Sequence, residues 1–278
     1  MEQKYIKEIS HGPNLIKTKS FCKAWYNFLF LFDFINMQKE KEWFEHWFDT
    51  HFYHILYDYR NDDEARFFMS NLVNYLQLSK GDEILDLPCG KGRHALFLYE
   101  QGFKTTGADL SVNSIEYAKQ FEKDHLTFNI HDMRDPLDGN YDAIFNLFTS
   151  FGYFNQETTN IRVLKNFKKA LKQGGHIVVD FLNLEKVIKE LVPEQRFTKR
   201  GVDFEIKKSI SQNFILKEIT VHDNGETHRF LEKVQALDPV KMKYFVKQAG
   251  LRIQEIFGDY ELSPFDEKHS ERLILILQ

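Results

Sequence analysis

Glu83-Ile84-Leu85-Asp86-Leu87-Pro88-Cys89-Gly90-Lys91-Gly92-Arg93-His94-Ala95 decides how this chain is read. A short apolar run with an acid near its end breaks into two glycines, then resumes at helical spacing through Ala95, Leu96 and Leu98. That is a strand, a tight turn and a helix, the opening of a βαβ unit. A side chain at either glycine would keep the backbone from closing on a ligand.

Alternation continues outward from that turn. Gly102-Phe103 leads into a strand at Lys104–Asp109, and Ser111 can cap a helix carrying Ile115 and Ala118. Leu126–His131 and Tyr141–Phe148 read as strands, and a helix is expected over Glu157 to Leu171. Lys172-Gln173-Gly174-Gly175 should turn into a strand at His176–Phe181. Strands alternating with helices at this interval predict a parallel sheet covered on both faces. The alternation fails after about Pro193: Val202–Ser211, Asn213–His222 and Thr227–Leu237 are β-rich, with Asn224-Gly225 a hairpin signal. An inserted antiparallel region is therefore expected over 193–237. A helix over Asp238–Ala249 and two terminal strands, Leu251–Phe257 and Glu271–Leu277, close the chain.

Upstream, Trp43, Phe44, Trp47, Phe48, Phe52, Ile55 and Leu56 recur at spacings of three and four, which fits one amphipathic helix or two short ones. A second helix over Glu64–Leu78 puts Ala65, Phe68, Met69, Leu72, Val73 and Leu76 on one face. Residues 1–36 are aromatic and weakly periodic; the expectation is that Met37 is the natural start and that they form an upstream-translated extension. The core is then 37–192 with 238–278.

Composition narrows the function classes. With 278 residues, 27 Phe and 12 Tyr, a sizeable core can be built. Net charge is −4 with both signs interspersed and no dense basic run, which disfavours a nucleic-acid binder. Cys22 and Cys89 lie too far apart in sequence for a disulfide framework or zinc spacing, so a reduced, cytoplasmic protein is expected. The apolar run Phe28–Phe32 is too short to span a membrane, and no membrane partner is expected. His46, His51 and His54 have no paired Cys or further close His, and no metal is expected.

Taken alone, Gly90-Lys91-Gly92-Arg93-His94-Ala95 also fits the dinucleotide fingerprint, with Asp109 near the distance of a ribose-binding acid. Asp86 at the end of the first strand and Asp132 at the end of the third argue against a nicotinamide site. Ile84–Ala95, Gly107-Ala108-Asp109-Leu110-Ser111, His131-Asp132-Met133 and Tyr141-Asp142-Ala143-Ile144-Phe145-Asn146 together resemble the successive motifs of class I S-adenosylmethionine-dependent methyltransferases, over about residues 64–182. The resemblance implies an α/β fold: a Rossmann-like, doubly wound, seven-stranded sheet with its last strand reversed, here with an inserted antiparallel sheet and N-terminal helices.

The resemblance also implies roles. Cys89, Gly90 and Gly92 would lie against the methionine part of S-adenosylmethionine, with Asp86 holding the turn or the cofactor ammonium. Asp109, with Leu110 beside it, would take the ribose hydroxyls, unless it merely caps the next helix. Asp132 and Met133 would take the adenine amino group, and Asn146 and Leu147 would line the floor beneath the sulfonium.

An N-terminal lid is implied, with Tyr53, Tyr57 and Arg60 in it or simply packed. Proton acceptors to consider are Tyr53, Tyr57, Tyr59, His54 and Tyr153, none singled out as catalytic. After strand four, Asn146-Leu147-Phe148-Thr149-Ser150-Phe151-Gly152-Tyr153-Phe154 departs from the Pro-Pro-aromatic pattern of DNA-base amino-methyltransferases and suits a small or mostly apolar acceptor. The inserted sheet could cover that acceptor's pocket or pair with a second subunit as a homodimer. The alternative readings are a non-catalytic S-adenosylmethionine-binding protein and an NAD-dependent oxidoreductase.

Overall fold

The structure, a computed structural model, describes residues 42–58 and 62–278; the expectations for residues 1–36, Tyr59 and Arg60 lie outside them. Eleven strands and eight α-helices follow one another over those residues. The aromatic stretch forms two short helices, α1 (Trp43–Trp47) and α2 (His51–Leu56). They are separated by Thr50, whose hydroxyl accepts the Tyr53 N–H at 3.2 Å and starts α2. Helix α3 (Asp62–Tyr75) leads to β1 (Glu83–Asp86), α4 (Arg93–Glu100), β2 (Lys104–Asp109), α5 (Val112–Ala118), β3 (Leu126–Ile130) and β4 (Tyr141–Asn146). Helix α6 (Glu157–Lys169), β5 (Leu171–Leu182) and α7 (Leu184–Lys189) complete the alternating part.

The main sheet has seven strands in the order β10-β11-β5-β4-β1-β2-β3, where β10 is Ile253–Phe257 and β11 is Arg272–Leu277. Pairs β1–β2, β1–β4, β2–β3 and β4–β5 are parallel, whereas β11 is antiparallel to both β5 and β10. This is the doubly wound sheet with a reversed last strand expected above. The strand order turns back on itself at β1 and β4, so the crevice for a ligand opens at the carboxyl ends of those strands.

Both faces are covered, as the continuous apolar character of β4 and β11 requires. Helix α6 and α8 (Pro239–Ala249) bury Val163, Leu164, Phe167, Met242, Phe245 and Val246 against Leu85, Ile144 and Ile177. On the opposite face α3 and α4 bury Phe68, Met69, Leu72, Phe97 and Leu98 against Ile84, Ala143 and Val178. Asp238 caps α8 by accepting the Lys241 N–H at 2.7 Å, with Pro239 in the first turn where its missing N–H costs nothing.

Two features differ from the sequence reading. The expected turn at Lys172–Gly175 lies inside β5 as an irregularity: Tyr141 pairs with Leu171, but Ala143 pairs with His176. The inserted sheet has four strands rather than three: β6 (Glu194–Lys199), β7 (Val202–Ser211), β8 (Phe214–Asp223) and β9 (Glu226–Gln235), all antiparallel. Strand β6 is an exposed edge, so it carries no apolar alternation to reveal it.

The buried face of this second sheet, Val202, Phe204, Ile206, Ile219 and Val221, packs against Trp47, Phe52 and Leu56. A face that alternation alone left open to a pocket or a partner is covered by the chain's own α1 and α2. No helix among the described residues is long and apolar enough to cross a membrane. Phe204 is 2% exposed in this cluster. Phe204→Ala is expected to cost about 3–4 kcal/mol of stability, read by urea denaturation.

Candidate active site

Strand β1 delivers Asp86 to the carboxyl edge of the sheet, and the chain then turns through Cys89, Gly90 and Gly92 into α4. The turn is tied to β2 by the Cys89 N–H on the Ala108 carbonyl (2.8 Å) and closed on itself by the Gly92 N–H on the Cys89 carbonyl (3.0 Å). Both glycines are left-handed, with φ of +53° at Gly90 and +82° at Gly92. They are required for different reasons. A Cβ on Gly92 would lie 2.5 Å from the Phe128 ring, so helix and strand could not approach as they do. A Cβ on Gly90 would meet nothing within 4 Å, because that side of the turn is open.

Two carboxylates converge on this turn. Asp109, at the end of β2, accepts the Gly90 N–H at 2.7 Å on one oxygen and the Ser111 N–H at 2.9 Å on the other. Ser111 itself caps α5, accepting the Ser114 N–H at 3.0 Å, so Asp109 is not the helix cap. Leu110 is half-buried at the edge of the large core cluster. Asp86 is 1% exposed; its Oδ2 has no hydrogen-bond partner. Burial, and secondarily the charge of Asp109, push the Asp86 carboxyl up to about 8, against the opposing pull of the Ala95 N–H. Burial also raises Asp109, against the pull of its backbone donors Ser111 and Gly90, which favour the charged form. Burial pushes the Cys89 thiol up as well, which makes it a poor nucleophile.

The third acid, Asp132, follows β3. Its carboxylate is gripped by Arg134: the N–H at 2.8 Å, Nε at 3.0 and 2.8 Å, and Nη2 at 2.5 Å. Burial alone would raise its pKa, but the Arg134 hydrogen bonds and charge outweigh that and lower it. The Arg134 guanidinium lies over the rings of Phe44 (5.7 Å) and Phe154 (5.3 Å) and 3.9 Å from Glu45, which ties α1 to this loop. Met133 is buried in the core, and its carbonyl and that of Arg134 accept from Asn166. Asn146 is fully buried, with Nδ2 donating to the Leu87 carbonyl at 2.8 Å and Oδ1 unpartnered; Leu147 is 3% exposed.

The structure thus gathers Asp86, Cys89, Gly90, Gly92, Asp109 and Leu110 on the β1–β2 edge, with Asp132 and Met133 beyond β3 and Asn146 and Leu147 at the end of β4. The aromatic residues divide. Tyr153 packs on Trp43, Phe44 and Phe48. The Tyr57 hydroxyl instead donates to Glu232 on the inserted sheet (2.7 Å), which also receives Trp47 Nε1 at 2.7 Å. Burial and the charge of Lys91 hold His54 below the usual imidazole range.

Sequence reasoning missed Asp49, between α1 and α2, which accepts from Ser111 Oγ and Asn113 Nδ2, each at 2.6 Å. It sits in an aromatic stretch where nothing marks it out. It also missed Asp180 and Arg272, although an acid inside the apolar run Ile177–Phe181 was a usable signal.

A protein-family model described as a methyltransferase domain matches residues 78–235, more than half of the chain. YqeM of Bacillus subtilis, whose name assigns it provisionally to the methyltransferases, is 28% identical over 217 residues, spanning 72% of this chain and 85% of that protein. The glycine/sarcosine/dimethylglycine N-methyltransferase of Actinopolyspora halophila is 25% identical over 73% of this chain, but the match spans only 36% of that longer enzyme. Among solved structures, an S-adenosylmethionine-dependent methyltransferase from Clostridium acetobutylicum has the same fold. It superposes with a TM-score of 0.70 at 20% identity, over 82% of this chain and 96% of that one.

Because Asp86 is held protonated in the fold, its contribution to stability is fully present below its ordinary value of 3.8 and is lost as pH rises through about 8. Asp86→Asn removes that dependence. Thermal melts at several pH values should show wild type losing stability from about pH 5 to about pH 8 relative to the variant, by at least about 1 kcal/mol. Parallel profiles would contradict this.

Proposed function

The chain belongs to the methyltransferase family, and we propose that it carries the methyl group of its cofactor, S-adenosylmethionine, to a small-molecule acceptor. The observation that carries the reading of the site is the buried Asp86 carboxyl, whose Oδ2 has no hydrogen-bond partner, beside a glycine turn whose outer side is open. A carboxylate left so costly to ionise fits a site that a cationic ligand completes.

When bound, S-adenosylmethionine supplies a methyl carbon already activated by the sulfonium, so the protein's work is binding and orientation. In this reading Asp86 takes the ammonium and Gly90 lets the backbone lie against the methionine moiety. Asp109 offers its remaining lone pairs to the ribose hydroxyls while its bonds to Gly90 and Ser111 fix their direction. The Met133 backbone would face the adenine edge, and Asp132, which Arg134 holds on both oxygens, would have to yield part of that grip to take the adenine amino group. Asn146 and Leu147 would form the floor beneath the sulfonium, with a lone pair of the Leu147 carbonyl available to it.

The acceptor's side is the aromatic wall of Trp43, Phe48, Tyr53 and Tyr153, closed over the cofactor edge by α1 and α2 through Asp49 and Arg134. A wall of this kind supports a small acceptor rather than a polymer. His54, its pKa lowered by burial and the charge of Lys91, stands with Tyr53 and Tyr153 among the proton acceptors to test, none singled out. The Actinopolyspora halophila relative acts by name on amines, which makes glycine and sarcosine the first acceptors to assay.

Calorimetric titration should show binding of S-adenosylmethionine and S-adenosylhomocysteine but not NAD, with Asp109→Ala weakening both sulfur cofactors by at least about tenfold. Binding of NAD alone would overturn the reading. Ionisation of Asp86 on binding should release a proton near pH 7, seen as a dependence of the binding heat on the buffer's ionisation enthalpy. Affinity should then rise from about pH 6 to about pH 8 in wild type and stay flat in Asp86→Asn.

A further inference from the structure

The chain leaves β4 as Asn146-Leu147-Phe148-Thr149-Ser150. Two of these residues carry a Cβ in the left-handed region, Phe148 at φ +58° and Thr149 at φ +62°. Neither conformation is one such residues adopt without being held there.

What holds them is a largely buried ion pair from two other strands, its acid fully buried and its arginine partly exposed. Asp180 of β5 is 0% exposed; its carboxylate accepts the Phe148 N–H at 2.7 Å, and its carbonyl accepts the Thr149 N–H at 3.0 Å. Arg272, the first residue of β11, donates Nε to Asp180 at 2.8 Å and Nη2 to the Thr149 hydroxyl at 2.9 Å. The Phe148 ring is wedged between His94, stacked at 4.8 Å, and the rings of Phe68 and Tyr260. Further along, the Gly152 and Phe154 carbonyls accept from Gln235, each at 2.8 Å.

A buried ion pair is a weak source of stability, since well-packed apolar side chains of similar volume often serve as well. This pair makes bonds that apolar side chains could not make: it grips two consecutive strained residues beside the expected methyl-transfer floor. The Leu147 carbonyl receives the Ser150 hydroxyl at 2.8 Å and has a second lone pair for another partner.

Building on the cofactor reading above, we propose that Asp180 and Arg272 are positioning residues that hold the backbone after β4 so that the Leu147 carbonyl faces the sulfonium. They thereby set how strongly the protein distinguishes charged S-adenosylmethionine from neutral S-adenosylhomocysteine. Oxygen dipoles fixed in a poorly solvated site attract a cation and are indifferent to a thioether. Loosening the segment should cost the charged cofactor selectively.

The test is the ratio of calorimetric Kd values for S-adenosylmethionine and S-adenosylhomocysteine in wild type, Asp180→Asn and Thr149→Val. Asp180→Asn should weaken S-adenosylmethionine by about tenfold more than S-adenosylhomocysteine, and Thr149→Val should shift the ratio the same way by about threefold. A purely structural role would weaken both cofactors in parallel, and that result, or an unchanged ratio in both variants, overturns the inference. If Asp180→Asn does not fold, Thr149→Val, which keeps the side-chain shape, decides alone. Wild-type protein that bound neither cofactor would instead overturn the cofactor reading and the inference with it.

Discussion

Asp86 and Asp109 end adjacent parallel strands, and the carboxyl edge of the sheet brings both acids to one poorly solvated turn. Two carboxylates cannot both ionise freely there. Asp109 is accommodated by two backbone donors, one of them from Gly90, which exists only because the turn is left-handed at that residue. Asp86 has no such relief on its Oδ2 and carries the cost. The same turn also lets α4 approach β3, where Gly92 packs closely on Phe128. A cationic ligand at the turn would release the remaining penalty.

The short helices α1 and α2 connect the inserted sheet to that edge. On one side Trp47, Phe52 and Leu56 complete the apolar core of the inserted sheet, and Glu232 ties Trp47 and Tyr57 to it. On the other, Asp49 bonds the loop after Asp109 and Glu45 approaches the Arg134 fork on Asp132. Helices of five and six residues have little stability of their own, so their place is set by these contacts at both ends. The inserted sheet in this sense supports the helices that lie against the carboxyl edge of the main sheet.

Much of this was legible in sequence because it depends on local periodicity and turn chemistry. The five parallel strands, the glycine turn, the cap at Ser111 and the terminal strand pair all carry patterns that sterics and burial impose on neighbours in the chain. The edge strand β6 was not legible, since an exposed strand has no apolar alternation to show. The extent of β5 was misread because Gly174-Gly175, a turn signal in sequence, can equally relax a strand irregularity.

By itself the sequence determined the doubly wound core and the order of its acidic strand ends, because both rest on short-range spacing of residue types; the cofactor came from the resemblance of those motifs to a known family. Tertiary structure alone decided that Asp49 bonds Ser111 and Asn113, that Arg134 lies against Phe44, Phe154 and Glu45, and that Asp180 and Arg272 grip Phe148 and Thr149. Partners up to 123 positions apart in the chain make these contacts. Which of many charged residues meet is set by strand register and helix packing, and no local pattern encodes that.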